Sequence, residues 1–101
     1  MYTPDGWVII KVTDSDYKVF GSWTGNFTKG DSWRVNSGID SVIEDGEYIR
    51  FIGYSGSEYL CHKNTEGQLT IYNKGVLSHF IEATKGVSII DYKEFKCLGS
   101  N

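Results

Sequence analysis

Proline is almost missing from this chain of 101 residues, occurring once, at Pro4. Arginine, histidine and cysteine occur twice each, as Arg34 and Arg50, His62 and His79, and Cys61 and Cys97. Each scarcity excludes something. Two cysteines outside any CxxC spacing make no disulfide scaffold and suit reduced thiols in a cytosolic setting. Two histidines with no HxH or HExxH spacing give no reason to expect a metal site, and no cofactor is implied. Neither GxGxxG nor a phosphate loop ending in Gly-Lys-Ser/Thr is present, so the common nucleotide-binding loops are absent. Charge of one sign is not concentrated anywhere and the net charge is −3. That excludes general nucleic-acid binding, which depends on Lys and Arg neutralising phosphates. The apolar run beginning at Trp7 is too short to cross a membrane. It has no basic region before it and no small-residue cleavage site after it, so neither a signal peptide nor membrane contact is expected.

What the chain does have is glycine, at 12 positions, and aromatic side chains, at 15% of residues. Aromatics favour strands and glycine punctuates turns, so the pattern reads as β-rich. The length suits one domain, residues 1–101. "WVIIKVT" and "YKVFGSW" flank the turn "TDSD" and form a hairpin. The stretch 32–39, Ser41 to Glu44, Glu47 to Tyr54 and Glu58 to Lys63 follow as strands, with Leu69 to Tyr72 as a further brief one. The single predicted helix spans Lys74 to Lys85, capped by Asn73, because Val76, Leu77, Phe80, Ile81 and Thr84 share one helical face. Val87 to Tyr92 closes the sheet, and the tail is expected to fray. The predicted fold is α+β: a curved antiparallel sheet of about six strands, a partial barrel, with one helix in the C-terminal half packed on it. The strands beginning at Trp7 and Glu47 are apolar on both sides, so either the sheet curls on itself or a second copy covers it.

The chemistry in the pattern favours binding over catalysis. Cys61 and His62 alternate to opposite sides of a strand and cannot form a thiolate–imidazole pair. Ser55-Gly56-Ser57 reads as a tight turn, since the flanks of a nucleophile elbow are missing. Trp23, Trp33 and Tyr59 offer flat apolar walls, while Arg34, Asn36, Ser37, Ser57, His62 and Lys63 offer polar groups. In this reading Trp23 and Trp33 stack on a planar ligand and Arg34 and Lys63 meet its negative charge. Asn36, Ser37 and Ser57 orient it. In "DSWRVNSG", alternation places Ser32, Arg34 and Asn36 on one face and Trp33, Val35 and Ser37 on the other. Either Trp33 anchors the core while Arg34 and Asn36 face the ligand, which we favour, or Gly30 and Gly38 distort the strand enough to unite them.

"WVIIKVT", "YKVFGSWTGNF", "GDSWRVNSGI", "YIRFIGYSGSEYLCHKN" and "GVLSHFIE" together resemble a group of small uncharacterised tailed-bacteriophage proteins. Their shared patterns are Gly-Asp-Ser-Trp-Arg/Lys-x-Asn-Ser-Gly and Ser-Gly-Ser-x-Tyr-x-Cys-His-Lys. The similarity covers most of the chain. It departs at "NTEGQLTIYNKG", where the group has a longer aromatic and Gly-rich link, and at the tail "DYKEFKCLGSN".

The resemblance implies a phage protein acting in the host cytoplasm. By analogy with small phage proteins that sequester nucleotide-derived immune signals between subunits, it implies a homo-oligomeric, non-enzymatic binder of a small anionic, nucleotide-like ligand. The alternative is a protein–protein inhibitor or accessory protein that uses an exposed sheet face or edge against a host or phage partner. A signal-degrading enzyme with His62 as general base ranks third.

Overall fold

The structure, a computed structural model, describes residues 1–25 and 30–98. Among the described residues seven antiparallel strands divide into two sheets: β1 (Gly6–Thr13), β2 (Asp16–Trp23), β3 (Ser32–Val35) and β7 (Ser88–Ile90) in the order β3-β2-β1-β7, and β4 (Ile39–Asp45), β5 (Tyr48–Gly53) and β6 (Glu58–His62) in the order β4-β5-β6. Two helices, α1 (Ile71–Ala83) and α2 (Tyr92–Leu98), complete the α+β fold. None among the described residues is long and apolar enough to cross a membrane.

The doubly apolar β1 explains the layering. Trp7 and Ile9 point into a core shared with Ile49, Phe51, Tyr59 and Cys61 of the other sheet. Val8 and Ile10 point the opposite way, against Phe20 and Leu77 of α1. The central strand is therefore buried on both faces, by a sheet and by a helix. β5 is treated differently: Ile49 and Phe51 are buried, but Tyr48 on its outer side is exposed. The second face expected to be hidden is open in the single chain.

The strands do not close into a barrel. The chain turns a corner at Asn36-Ser37-Gly38 and β4 then pairs with β5, Ile39 opposite Gly53, instead of extending the first sheet. Gly38 sits there at φ +130°, and a Cβ would meet the Tyr54 ring at 2.8 Å, so the corner requires glycine. A second obligatory glycine is Gly6, where a Cβ would lie 1.5 Å from the Gln68 carbonyl oxygen.

Three sequence expectations are corrected at the C-terminal end. Leu69 to Tyr72 is no strand: Thr70 caps α1, its Oγ1 accepting the Asn73 N–H at 3.1 Å, and the helix begins at Ile71. Asn73 is consequently inside the helix and not its cap. Within the expected fraying tail, Tyr92–Leu98 form α2, capped by Asp91, whose Oδ1 accepts the Glu94 N–H at 2.7 Å. Its Tyr92 and Phe95 pack against the inter-sheet core, which gives the helix its apolar contact.

Gly75 lies in the middle of α1 with open space where a Cβ would stand. A glycine inside a helix gives up conformational entropy without packing in return. Gly75→Ala is expected to stabilise the protein by about 0.5–1 kcal/mol. Thermal denaturation checks this, and a lower Tm in the variant would refute it.

Candidate functional site

β3 is the edge of its sheet, and its register with β2 sets the two faces: Ser22 opposite Trp33 and Gly21 opposite Arg34. Trp33 turns toward the α1 side, where it stacks on Phe20 with centroids 5.6 Å apart and planes 9° apart. It is 46% exposed, so it is an outlying ring and not the core anchor favoured from alternation. Trp23, one residue beyond Ser22, faces the other way. The two tryptophans cannot wall a single ligand from opposite sides, and that pairing is corrected.

On the inter-sheet side, Arg34 crosses the side-chain-free backbone of Gly21 and places its guanidinium 4.5 Å from the Tyr2 ring centroid. Tyr2 is held there by main-chain bonds to the β6 edge, its N–H to Glu58 O and the Leu60 N–H to its own carbonyl, both at 2.8 Å. Its ring meets Tyr59 at 5.1 Å and the edge of Trp23 at 6.4 Å. Trp23 is fixed by donating Nε1–H to Thr3 O at 3.1 Å. Burial pushes the Tyr59 hydroxyl up to about 12, with Arg34's charge pulling the other way. Arg34, Trp23 and Tyr59 are thus brought together, as sequence reasoning expected, around Tyr2, which it missed. Nothing in the periodicity singles out Tyr2, since it precedes the first strand and acts through main-chain pairing alone.

Beyond Arg34 the same strand leads to the corner. Asn36 is 5% exposed; its Oδ1 accepts the Val19 N–H at 2.8 Å, so the side chain continues the β2 ladder after β3 ends. Its Nδ2, against Gly53, has no hydrogen-bond partner. Ser37 Oγ accepts the Ser55 N–H at 3.0 Å and donates to Ser55 Oγ at 3.2 Å, which is 3.2 Å from Ser57 Oγ. Lys18 adds a second cation, donating to Ser37 O at 2.8 Å while lying 3.6 Å from Asp16. One rim of the sandwich, between β3 with its continuation and the β5–β6 hairpin, therefore carries Arg34, the Tyr2 and Tyr59 rings, Asn36 and three serine hydroxyls. Among the described residues no carboxylate pairs with Arg34.

His62 and Lys63 do not join this rim. They lie at the other end of β6, where His62 pairs across from Tyr48. His62 Nδ1 accepts the Asn64 N–H at 3.0 Å, and its ring packs on Tyr48. Lys63 is spent on Glu44 at 3.0 Å, and Lys96 reaches the same carboxylate at 2.5 Å. Hydrogen bonds from Lys96 and Lys63 hold the Glu44 carboxyl down at about 2. Lys63, held by Glu44, and His62, placed beside Tyr48, therefore lie apart from the other predicted ligand residues.

Cys61 points into the core and His62 away from it, and burial pushes the Cys61 thiol up. Among the described residues no three His, Cys, Asp or Glu side chains come together to hold a metal. The stretch read from sequence as a possible loop over a pocket, with Phe27 and Lys29, lies outside the described residues. Comparison with protein-family models, with curated proteins and with solved structures yields no match to this chain.

Proposed function

We propose that this chain is a non-enzymatic phage protein that acts in the host cytoplasm by holding a small anionic, nucleotide-like ligand at the Arg34 rim. The observation that carries the reading is Arg34 itself: stacked on Tyr2 at 4.5 Å and without a carboxylate partner among the described residues. A guanidinium held flat on a ring keeps its edge N–H donors for bidentate bonds to phosphate or carboxylate. The orphaned Asn36 Nδ2 and the serine hydroxyls supply neutral donors nearby. A net charge of −3 suits a ligand of small charge and not a polyanion. The tailed-phage resemblance supplies the setting. The open outer face of β5, where Tyr48 and Ile52 alternate with Arg50, supports a homo-oligomer that would present two such rims.

Isothermal titration against a panel of mono- and cyclic nucleotides tests the reading. At least one member is expected to bind, and Arg34→Ala to weaken it by about tenfold or more, with Arg34→Lys intermediate. No binding by any member, with an unchanged Tm, would overturn it.

A second reading, a protein–protein inhibitor or accessory protein, is favoured by the apolar groups beside the β3 edge and along α1. Trp33 is half exposed, and Ile71 and Tyr72 are 91% and 62% exposed. A stoichiometric partner captured from infected cells, with no small-molecule dependence, would select it.

A further inference from the structure

A groove of about 680 Å³ lies between the β1–β2 turn, β2, β4 and α2. Its volume falls within the ~300–1,000 Å³ typical of small-molecule sites. From the groove's chemistry we infer that it is a second ligand site, independent of the Arg34 rim, for a small organic cation with an aromatic body.

The wall on β4 is built by a bulge. Ile39 pairs with Gly53 and Ser41 with Ile52, so Asp40 is an extra residue without a partner on β5. A bulge redirects side chains, and here residues 39–42 all line the groove in place of strict alternation. The facing wall is aromatic. Tyr17 meets Phe95 edge-to-face at 5.4 Å, and Phe95 meets Tyr92 at 6.4 Å. Tyr92 is itself wedged against Trp7 and Phe51, so this wall rests on the core.

Charge selects the occupant. Three charged side chains line the groove: Asp14, Asp40 and Lys96. Lys96 lies 2.5 Å from Glu44 Oε2, and Asp14 lies 3.0 Å from Lys11. Asp40 has no ion pair or hydrogen bond to its side chain among the described residues. Lys96 shares Glu44 with Lys63 and lies 5.9 Å from the Tyr92 ring centroid, so Asp40 is the carboxylate of the groove that has no cation of its own, on the wall facing Tyr17 and Phe95. An ammonium meets the Asp40 carboxylate and an aromatic wall, whereas an anion at the β4 wall would meet the charge of Asp40. The flat rings of Tyr17 and Phe95 suit an aromatic body on the same molecule.

Tryptamine and its neutral counterpart tryptophol, titrated separately into the ¹⁵N-labelled protein, test the site. Tryptamine is expected to shift the amide resonances of residues 39–42 and 92–96 and to bind about tenfold tighter than tryptophol. Asp40→Asn, which removes no internal bond, is expected to abolish that preference while leaving the Tm unchanged. Equal binding of the two probes, shifts confined to other residues, no binding, or a preference that survives Asp40→Asn would each overturn the inference. Arg34→Ala is expected to leave tryptamine binding intact, which separates this site from the rim.

Discussion

Replacing Trp7 by alanine is expected to remove roughly 3–5 kcal/mol of folding stability. Trp7 is fully buried and touches three parts of the molecule at once. Its ring lies against Phe51 of the second sheet at 5.4 Å and against Tyr92 of α2 at 6.4 Å. Its Nε1–H donates to His62 O at 2.8 Å, and its backbone carbonyl accepts the Gly67 N–H at 2.7 Å. Alanine would leave a large cavity between the sheets and would free α2 from its main apolar seat. A domain of this size has only about 5–15 kcal/mol in total, so the loss corresponds to a Tm lower by roughly 15–25 °C. Trp7→Phe separates packing from hydrogen bonding. The His62 carbonyl still accepts from Thr65 Oγ1 at 3.1 Å, so it is not orphaned, and the cost should fall to about 1–2 kcal/mol. Urea denaturation of the three proteins measures both steps. A loss below about 1 kcal/mol for Trp7→Ala would show that the two sheets do not depend on this ring.

The burial of β1 on both faces was legible because its signal is local. A β-branched run that is apolar at every position must be covered on both faces, and it is, by the second sheet and by α1. The β1–β2 hairpin was legible for the same reason: "TDSD" sits between two runs of matching period. What the period could not show was where a strand stops pairing. β3 ends at Val35 because Asn36 substitutes its side-chain oxygen for the next ladder acceptor, at 2.8 Å from the Val19 nitrogen. That substitution lets the chain leave one sheet for the other, and it turns an expected barrel into a sandwich. Short helices were misread through their caps. Asp91-Tyr92-Lys93-Glu94 carries the Asp-x-x-Glu signature of a helix start, and Thr70-Ile71-Tyr72-Asn73 offers a capping threonine. The first was read as a fraying tail and the second as a brief strand, although each carries a residue that can cap a helix.

The site was legible in parts that depend on alternation and lost in parts that depend on distance. Arg34 was placed on the face away from Trp33, and it lies there. Trp23 and Tyr59 were grouped with it, and all three gather around Tyr2. Lys63 and His62 were grouped with them as polar groups. Three residues along a strand carry them toward the opposite end of the sheet, to Glu44 and Glu47. Charge balance decides such cases, and the carboxylate that claims Lys63 is contributed by a neighbouring element that periodicity does not locate.

Asn73→Ala should cost roughly 2–3 kcal/mol, although the residue is small and lies in a surface helix. Asn73 is fully buried, and its Nδ2 donates to Ser22 Oγ and to Ser32 O, both at 2.8 Å. It is the polar tie between α1 and the edge strand β3. Alanine removes the donor to the part-buried Ser32 carbonyl, leaves the buried Ser22 hydroxyl without its partner and opens space beside it. Asn73→Asp keeps the shape but turns the two donors into an anion facing a carbonyl, so it should be at least as costly. Thr70→Ala, which removes only the helix cap, sets the scale for a change of the same helix turn at about 1 kcal/mol. The loss should also be uneven. β3 is a four-residue edge strand held by β2 on one side only, and the Asn73 bond is its tie to the helix layer. Native-state hydrogen exchange is therefore expected to quicken at Trp33 and Arg34 before it quickens in β1 and β2. If exchange rises equally across the sheet, Asn73 supports the fold as a whole and not this strand. If it rises first in β3, ligand affinity at the rim should fall in the same variant with Arg34 itself untouched, because a guanidinium on a loosened strand no longer rests on the Tyr2 ring.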